Sequence, residues 1–141
     1  DRSCLLLCGQ QLPCAEVLIR KPQAMTTCIH TLFSAWGDPS PESRAAKTDA
    51  AIGPDFYYSD PNVPTPIRGR DAYLDYIAQF GAMMPGATAE VIAVSEHHGH
   101  LRATVDFAKE GQTMMRGQYF ADLSNSRLQR VIGFTGMGEP D

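Results

Sequence analysis

One carboxylate in the sequence sits at the end of an aromatic run. In Phe56-Tyr57-Tyr58-Ser59-Asp60-Pro61, strand alternation places Phe56, Tyr58 and Asp60 on one face, with Tyr57 and Ser59 opposite. A carboxylate that shares a face with two rings is poorly hydrated, which makes it a better proton acceptor near neutral pH. The plain alternative is a solvated Asp-Pro turn, and spacing alone leaves both open. If Asp60 is buried without a partner, its replacement by Asn should leave stability unchanged or improved.

A second group of polar residues comes from the hairpin around Glu110-Gly111. If that pair is a two-residue loop, Lys109 faces Gln112, Val105 faces Arg116 and Ala103 faces Gln118. One face then carries Leu101, Ala103, Val105 and Phe107 together with Met114, Arg116, Gln118 and Phe120. The other carries Thr104, Asp106, Met115 and Tyr119. Arg116 and Gln118 are polar positions on an apolar face, which is costly unless they find partners. They are either donors aimed at a ligand, or an arginine that snorkels out and a glutamine that satisfies backbone. Asp106 reads as surface or interface.

Other chemistry finds little support. His97, His98 and His100 straddle a turn with no acidic or Cys ligand at metal spacing, so they read as solvated hairpin histidines and no metal is assigned. The glycine-rich phosphate-binding patterns and the Gly-x-Ser-x-Gly elbow are missing, which removes support for nucleotide cofactors and serine-hydrolase chemistry. No cofactor is expected.

The elements that position these residues are legible in outline. Segment 26–36 carries Ile29, Leu32, Phe33 and Trp36 at the spacing of one buried helix face. Ser40-Pro41-Glu42 reads as a cap, a proline at the first helical position and an acid in the first turn of a helix over about 41–52. A strand follows at 55–60, then a proline-rich loop with at most an edge strand at Ile67-Arg68. A third helix begins after Gly69, with Tyr73, Tyr76, Ile77 and Phe80 on one face, and ends at Pro85-Gly86. Four β-rich runs, 88–97, 100–109, 113–123 and 127–137, are separated by tight-turn pairs at His98-Gly99, Glu110-Gly111 and Asn125-Ser126. Helices followed by an antiparallel meander indicate an α+β domain with helices on one face of the sheet.

The whole chain is 141 residues with a net charge of −4, the size of one domain. The negative balance argues against a nucleic-acid partner, which needs a surplus of Lys and Arg. No apolar run is long enough to span a bilayer. All four cysteines, Cys4, Cys8, Cys14 and Cys28, fall near the N-terminus and read as unpaired thiols. The leucines of 5–7 are too few for a secretion signal, and a cytoplasmic location is expected. Residues 1–24 read as an upstream extension or accessory helix, with the regular domain, 25–141, opening at Met25.

Taken together, the helix ending in Trp36, the Arg44-bearing second helix, Phe56-Tyr57-Tyr58-Ser59-Asp60-Pro61 and Gly69-Arg70-Asp71-Ala72 follow a familiar order. With His98-Gly99, Gly117-Gln118-Tyr119-Phe120 and Arg127-Leu128-Gln129-Arg130-Val131, residues 26–138 resemble the nuclear-transport-factor-2-like superfamily. The likeness is to its SnoaL-like polyketide-cyclase branch and to ketosteroid isomerase. The resemblance implies a cone-shaped α+β barrel, a curved, mostly antiparallel sheet wrapped around helices and an internal apolar pocket. It also implies a homodimer formed through the outer sheet face, with Thr104, Met115 and Tyr119 in contact.

By the same resemblance Asp60 stands where the isomerases carry their general base, and Gln118 about where they keep an acid that binds the developing oxyanion. Leu32 or Phe33 stands where they use a tyrosine. Gly133 takes the place of the acid that epoxide hydrolases carry on the last strand. The expected function is a cofactor-independent enzyme of isomerase, cyclase, dehydratase or epoxide-hydrolase type, acting on a small, largely apolar molecule. Asp60 and Gln118 would be catalytic, with Tyr58, Arg116, Phe56, Trp36, Met114 and Phe120 binding substrate. The alternative is a non-catalytic module of the same fold that binds a hydrophobic ligand or a protein; an Arg116 clamped onto Asp60 would favour it.

Overall fold

The computed structural model describes residues 26–138. Helix α1 covers 26–34 and runs on as a turn to Gly37, with Ile29, Leu32, Phe33 and Trp36 all buried. Helix α2 (Pro41–Ala51) starts as the sequence indicates: the Ser40 hydroxyl accepts the Ser43 N–H at 3.2 Å, Pro41 opens the helix and Glu42 sits in its first turn. Strand β1 (Ile52–Ser59) follows directly, three residues longer at its start than the aromatic run suggested. Then come β2 (Ile67–Arg68), α3 (Arg70–Met83), β3 (Ala87–His97), β4 (His100–Lys109), β5 (Gln112–Ser124) and β6 (Arg127–Thr135).

The strands form one sheet in the order β2-β1-β6-β5-β4-β3. Strands β3 to β6 make the expected meander, while β1 joins β6 in parallel, so the sheet is mixed. Each meander turn is a two-residue loop with positive φ at both positions: His98-Gly99, Glu110-Gly111 and Asn125-Ser126. That is the turn whose twist matches the strands it joins. Ile92 in β3, Met114 in β5 and Gln129 in β6 are each one residue too many for their partner strand. Such bulges bend a sheet, and this one curves around the helices as an α+β cone. The core lies between α1, α3 and the inner residues of the sheet, among them Phe56, Tyr58, Ala103, Val105, Leu128 and Val131.

The accessory helix expected within 1–24, and Cys4, Cys8 and Cys14, lie outside the described residues. Cys28 is a free thiol that donates to the Ser126 carbonyl at 2.9 Å, and burial raises its pKa. Among the described residues no helix is long and apolar enough to cross a membrane.

Candidate active site

The bulge at Met114 decides which β5 side chains reach the interior. Lys109 faces Gln112 and Ala108 faces Thr113, as simple alternation requires, but Met115 rather than Met114 then opposes Phe107. One extra residue reverses the parity of everything beyond it. Tyr119 and Ala121 therefore turn inward beside Ala103 and Leu101, and Gly117 opposes Val105.

Three sequence expectations are corrected by this slip. Arg116 lies on the outer face, where its Nε donates to Asp106 Oδ1 at 3.0 Å, and it does not clamp Asp60. Gln118 is also outside, with Nε2 donating to the Met137 carbonyl at 2.8 Å. Phe120 packs on the outer Phe134, with ring centroids 6.0 Å apart, away from the cavity at Asp60. The same reversal takes Met115 and Tyr119 away from the outer face on which a dimer contact was expected.

Strand β1 carries no bulge near its end, and its parity holds. Phe56, Tyr58 and Asp60 are all buried, with Asp60 only 8% exposed. Phe56 sits behind the site, its ring 5.2 Å from that of Tyr73. Asp60 instead opens on a cavity of about 150 Å³. Trp36 walls it from the end of α1, and Tyr76, Phe80 and Met84 from α3 and its C-terminal end. Phe107 comes from β4, Met114, Met115 and Tyr119 come from β5, and Asn62 stands beside Asp60.

The hydrogen bonds at Asp60 form a closed account. Oδ2 accepts the Tyr58 hydroxyl at 2.6 Å and the Tyr76 hydroxyl at 2.8 Å, while Oδ1 accepts the Asn62 backbone N–H at 2.8 Å. A carboxylate oxygen accepts about two hydrogen bonds, so Oδ2 is full and Oδ1 keeps one lone pair. Tyr119 also interacts with Tyr58, whose own proton goes to Asp60. Trp36 Nε1 donates to the Tyr73 hydroxyl at 2.8 Å. Burial pushes all four phenols, Tyr58, Tyr73, Tyr76 and Tyr119, up from their ordinary pKa, so they remain protonated donors.

Asp60 is thus buried but not unpartnered, which revises the expectation for its replacement by Asn. An amide nitrogen would face the Asn62 N–H, donor against donor, or would force the two phenols to turn and accept from it. The cost of such a mismatch at a charged acceptor is about 1.5–3 kcal/mol.

Tyr119 owes its place to two glycines. A Cβ on Gly133, its partner across β6, would stand 2.2 Å from the Tyr119 ring, and one on Gly117 would stand 3.1 Å from it. Gly133 is the floor on which the ring lies. These glycines on adjacent strands were the sequence signal for a large ring crossing the backbone. Tyr76 was visible as part of a helix face, but nothing in its spacing showed that its hydroxyl reaches Asp60. Asn62, Phe80, Met84, Met115 and Tyr119 were also missed as cavity residues.

Other candidate places are already engaged. A wider groove of about 390 Å³ at the start of β1 holds Arg70 and Arg127. Arg70 pairs with Asp49 and Asp71, and Arg127 donates to the carbonyls of Asp49 and Ile52. Its volume exceeds that of the Asp60 cavity, but Arg70 is paired with two carboxylates and Nη1 of Arg127 is taken up by two backbone carbonyls. The three histidines cluster at the β3–β4 turn, where His100 Nδ1 lies 2.7 Å from Asp122. Among the described residues no group of His, Cys, Asp and Glu could hold a metal ion.

No family model and no curated protein matches the chain. Solved structures do. A candidate isomerase of the SnoaL-like family from Agrobacterium tumefaciens superposes with a TM-score of 0.73 at 19% identity, over 82% of this chain and 99% of the other. A candidate ketosteroid isomerase from Kribbella flavida gives 0.62 at 18% identity, over 84% and 82%. A candidate SnoaL-like polyketide cyclase from Jannaschia sp. CCS1 gives 0.64 at 13% identity, over 80% and 85%. At such identities the likeness carries the backbone and not the chemistry. The chain has the nuclear-transport-factor-2-like α+β cone fold, shared with SnoaL-like and ketosteroid-isomerase-like proteins.

Proposed function

We propose that this protein is an enzyme that moves a proton to and from a small organic molecule held in the Asp60 cavity. The observation that supports this most is the state of the Asp60 carboxylate. It lies in the cavity wall, is positioned through both oxygens, faces no cation among the described residues, and keeps one Oδ1 lone pair unoccupied. A general base needs that combination of fixed geometry and an open acceptor. Tyr58 and Tyr76 are positioning residues for Oδ2, and Tyr119 lines the cavity beside them.

Cavity size narrows the substrate. At about 150 Å³ it is about half the smallest volume usual for drug-sized ligands and comparable to cavities that admit a benzene ring. A molecule of one small ring or a short branched chain fits; a fused polycycle does not. The oxyanion role assigned to Gln118 is dropped with its change of face.

The test is incorporation of solvent deuterium into a panel of small carbon acids, followed by NMR. The wild type should exchange a C–H of at least one of them. Asp60→Asn should slow that exchange by about 10²–10⁴-fold while the ligand still binds. Undiminished exchange in the variant would remove Asp60 from the mechanism. Binding with no exchange even in the wild type would favour a ligand-binding module.

The outer sheet face supports a homodimer. Phe120 and Phe134 are 43% and 58% exposed and touch each other there. Paired rings left in water are the signature of a covered surface. Sedimentation equilibrium should find a dimer that Phe134→Asp dissociates; a wild-type monomer would refute the contact.

A further inference from the structure

The cavity also carries information about the charge of its ligand, an inference that rests on the reading of the Asp60 cavity as the ligand site. Among the described residues its lining holds one carboxylate and no Lys, Arg or His. Most donors around it are engaged: Tyr58 and Tyr76 with Asp60, and Trp36 with Tyr73, which leaves the Tyr119 hydroxyl as the one phenol in the lining not bound to Asp60. Among the described lining side chains, only the Asn62 carboxamide keeps free N–H groups. An anion would meet the Asp60 charge at close range, with only the Asn62 carboxamide and the Tyr119 hydroxyl to offset it, and an oxyanion formed as a neutral substrate passes its proton to Asp60 would have the same two donors. In a small, mostly apolar cavity the repulsion of an anion is poorly screened.

A cation meets the opposite conditions. Its charge would be balanced by Asp60, whose Oδ1 has room for one more contact. The rest of the wall is aromatic: the Trp36 ring centroid lies 5.7 Å from Tyr76, 5.1 Å from Phe80 and 5.8 Å from Phe107. Aromatic rings attract cations through their quadrupoles, more strongly where water is excluded. A methylated ammonium spreads its charge over carbon, so it loses less than a bare ammonium on leaving water, and it suits a cavity that admits a benzene-sized guest.

We infer that the Asp60 cavity takes a small organic cation, a methylated ammonium or an iminium, with Asp60 as its counter-ion. A cationic substrate that gives a proton to Oδ1 leaves as a neutral molecule. No anion forms, and no oxyanion donor is required, in keeping with the outward placement of Arg116 and Gln118.

Trp36 is the one tryptophan in the chain, so its indole N–H signal reports on the cavity without further assignment. We would titrate the full chain with choline, with dimethylbutanol, its neutral carbon isostere, and with pivalate, an anion of similar shape. Choline should bind about tenfold more tightly than dimethylbutanol, and pivalate should not bind. Asp60→Asn should bring choline and dimethylbutanol within about twofold of each other. Phe80→Leu, which keeps the carboxylate, should weaken choline several-fold and dimethylbutanol little. If dimethylbutanol binds as tightly as choline, the cation inference falls and the cavity remains a candidate site for neutral substrates. If none of the three moves the Trp36 signal, both the inference and the ligand site fall.

Discussion

The two faces of the sheet treat their carboxylates in opposite ways. Outside, Asp106 meets Arg116 at 3.0 Å and a Thr113 hydroxyl at 3.1 Å, while Asp122 is held by Arg130 at 2.8 Å and His100 at 2.7 Å. Inside, Asp60 meets two phenols and a backbone amide and, among the described residues, no cation. The outer pairs are half-exposed and screened, so each contributes at most about 1 kcal/mol. The inner carboxylate is withdrawn from water and faces no counter-ion among the described residues, so close hydrogen bonding is what holds it. Neutralised charge belongs to structure; charge that is held in place and left unbalanced is free to act on a guest.

The sharpest way to break this contrast is to take away the floor under Tyr119. A side chain at Gly133 would overlap the Tyr119 ring, so Gly133→Val must expel that ring or part β5 from β6. Losing a buried aromatic from the core costs about 3–5 kcal/mol, against a whole-domain stability of about 5–15 kcal/mol. The variant should melt far below the wild type by circular dichroism. A native-like melt would mean that Tyr119 does not need the space at Gly133.

A smaller effect is expected from pH. The four inner phenols have pKa values raised by burial above the ordinary value of about 10, so the folded state keeps their protons where the unfolded chain releases them. Their stabilising contribution is complete below about pH 10 and is lost as pH rises beyond it. Melting temperature should therefore hold to about pH 9 and then fall, with phenolate absorbance from these groups appearing as the protein unfolds. Phenolate absorbance from them in a still-folded protein would show that the cavity is wetter than its geometry implies. The smallest effect should come from Asp106→Asn, at most about 1 kcal/mol in a urea titration.

The same contrast explains which parts of the molecule were legible in the sequence. The apolar face of α1, the Ser40 cap and the three hairpin turns each depend on a few adjacent residues, and all were readable. Asp60 was placed correctly because two-residue periodicity runs unbroken from Phe56 to the strand's end. On β5 the same rule failed at Met114, because nothing local distinguishes a bulged methionine from a paired one. What the slip required, a ring lying across a neighbouring strand, was written only in Gly117 and Gly133, a long-range cue. A partner of Asp60 was beyond reach for a related reason: Tyr76 comes from α3, sixteen residues further along the chain.

The most direct test of the account is to run the deuterium-exchange reaction on Asp60→Asn and Asp106→Asn in parallel, with ligand binding checked in both. The inner substitution should abolish exchange by about 10²–10⁴-fold and leave the ligand bound, while the outer one keeps the wild-type rate. Equal rates in the two variants would contradict the assignment of the inner carboxylate as the group that carries the chemistry.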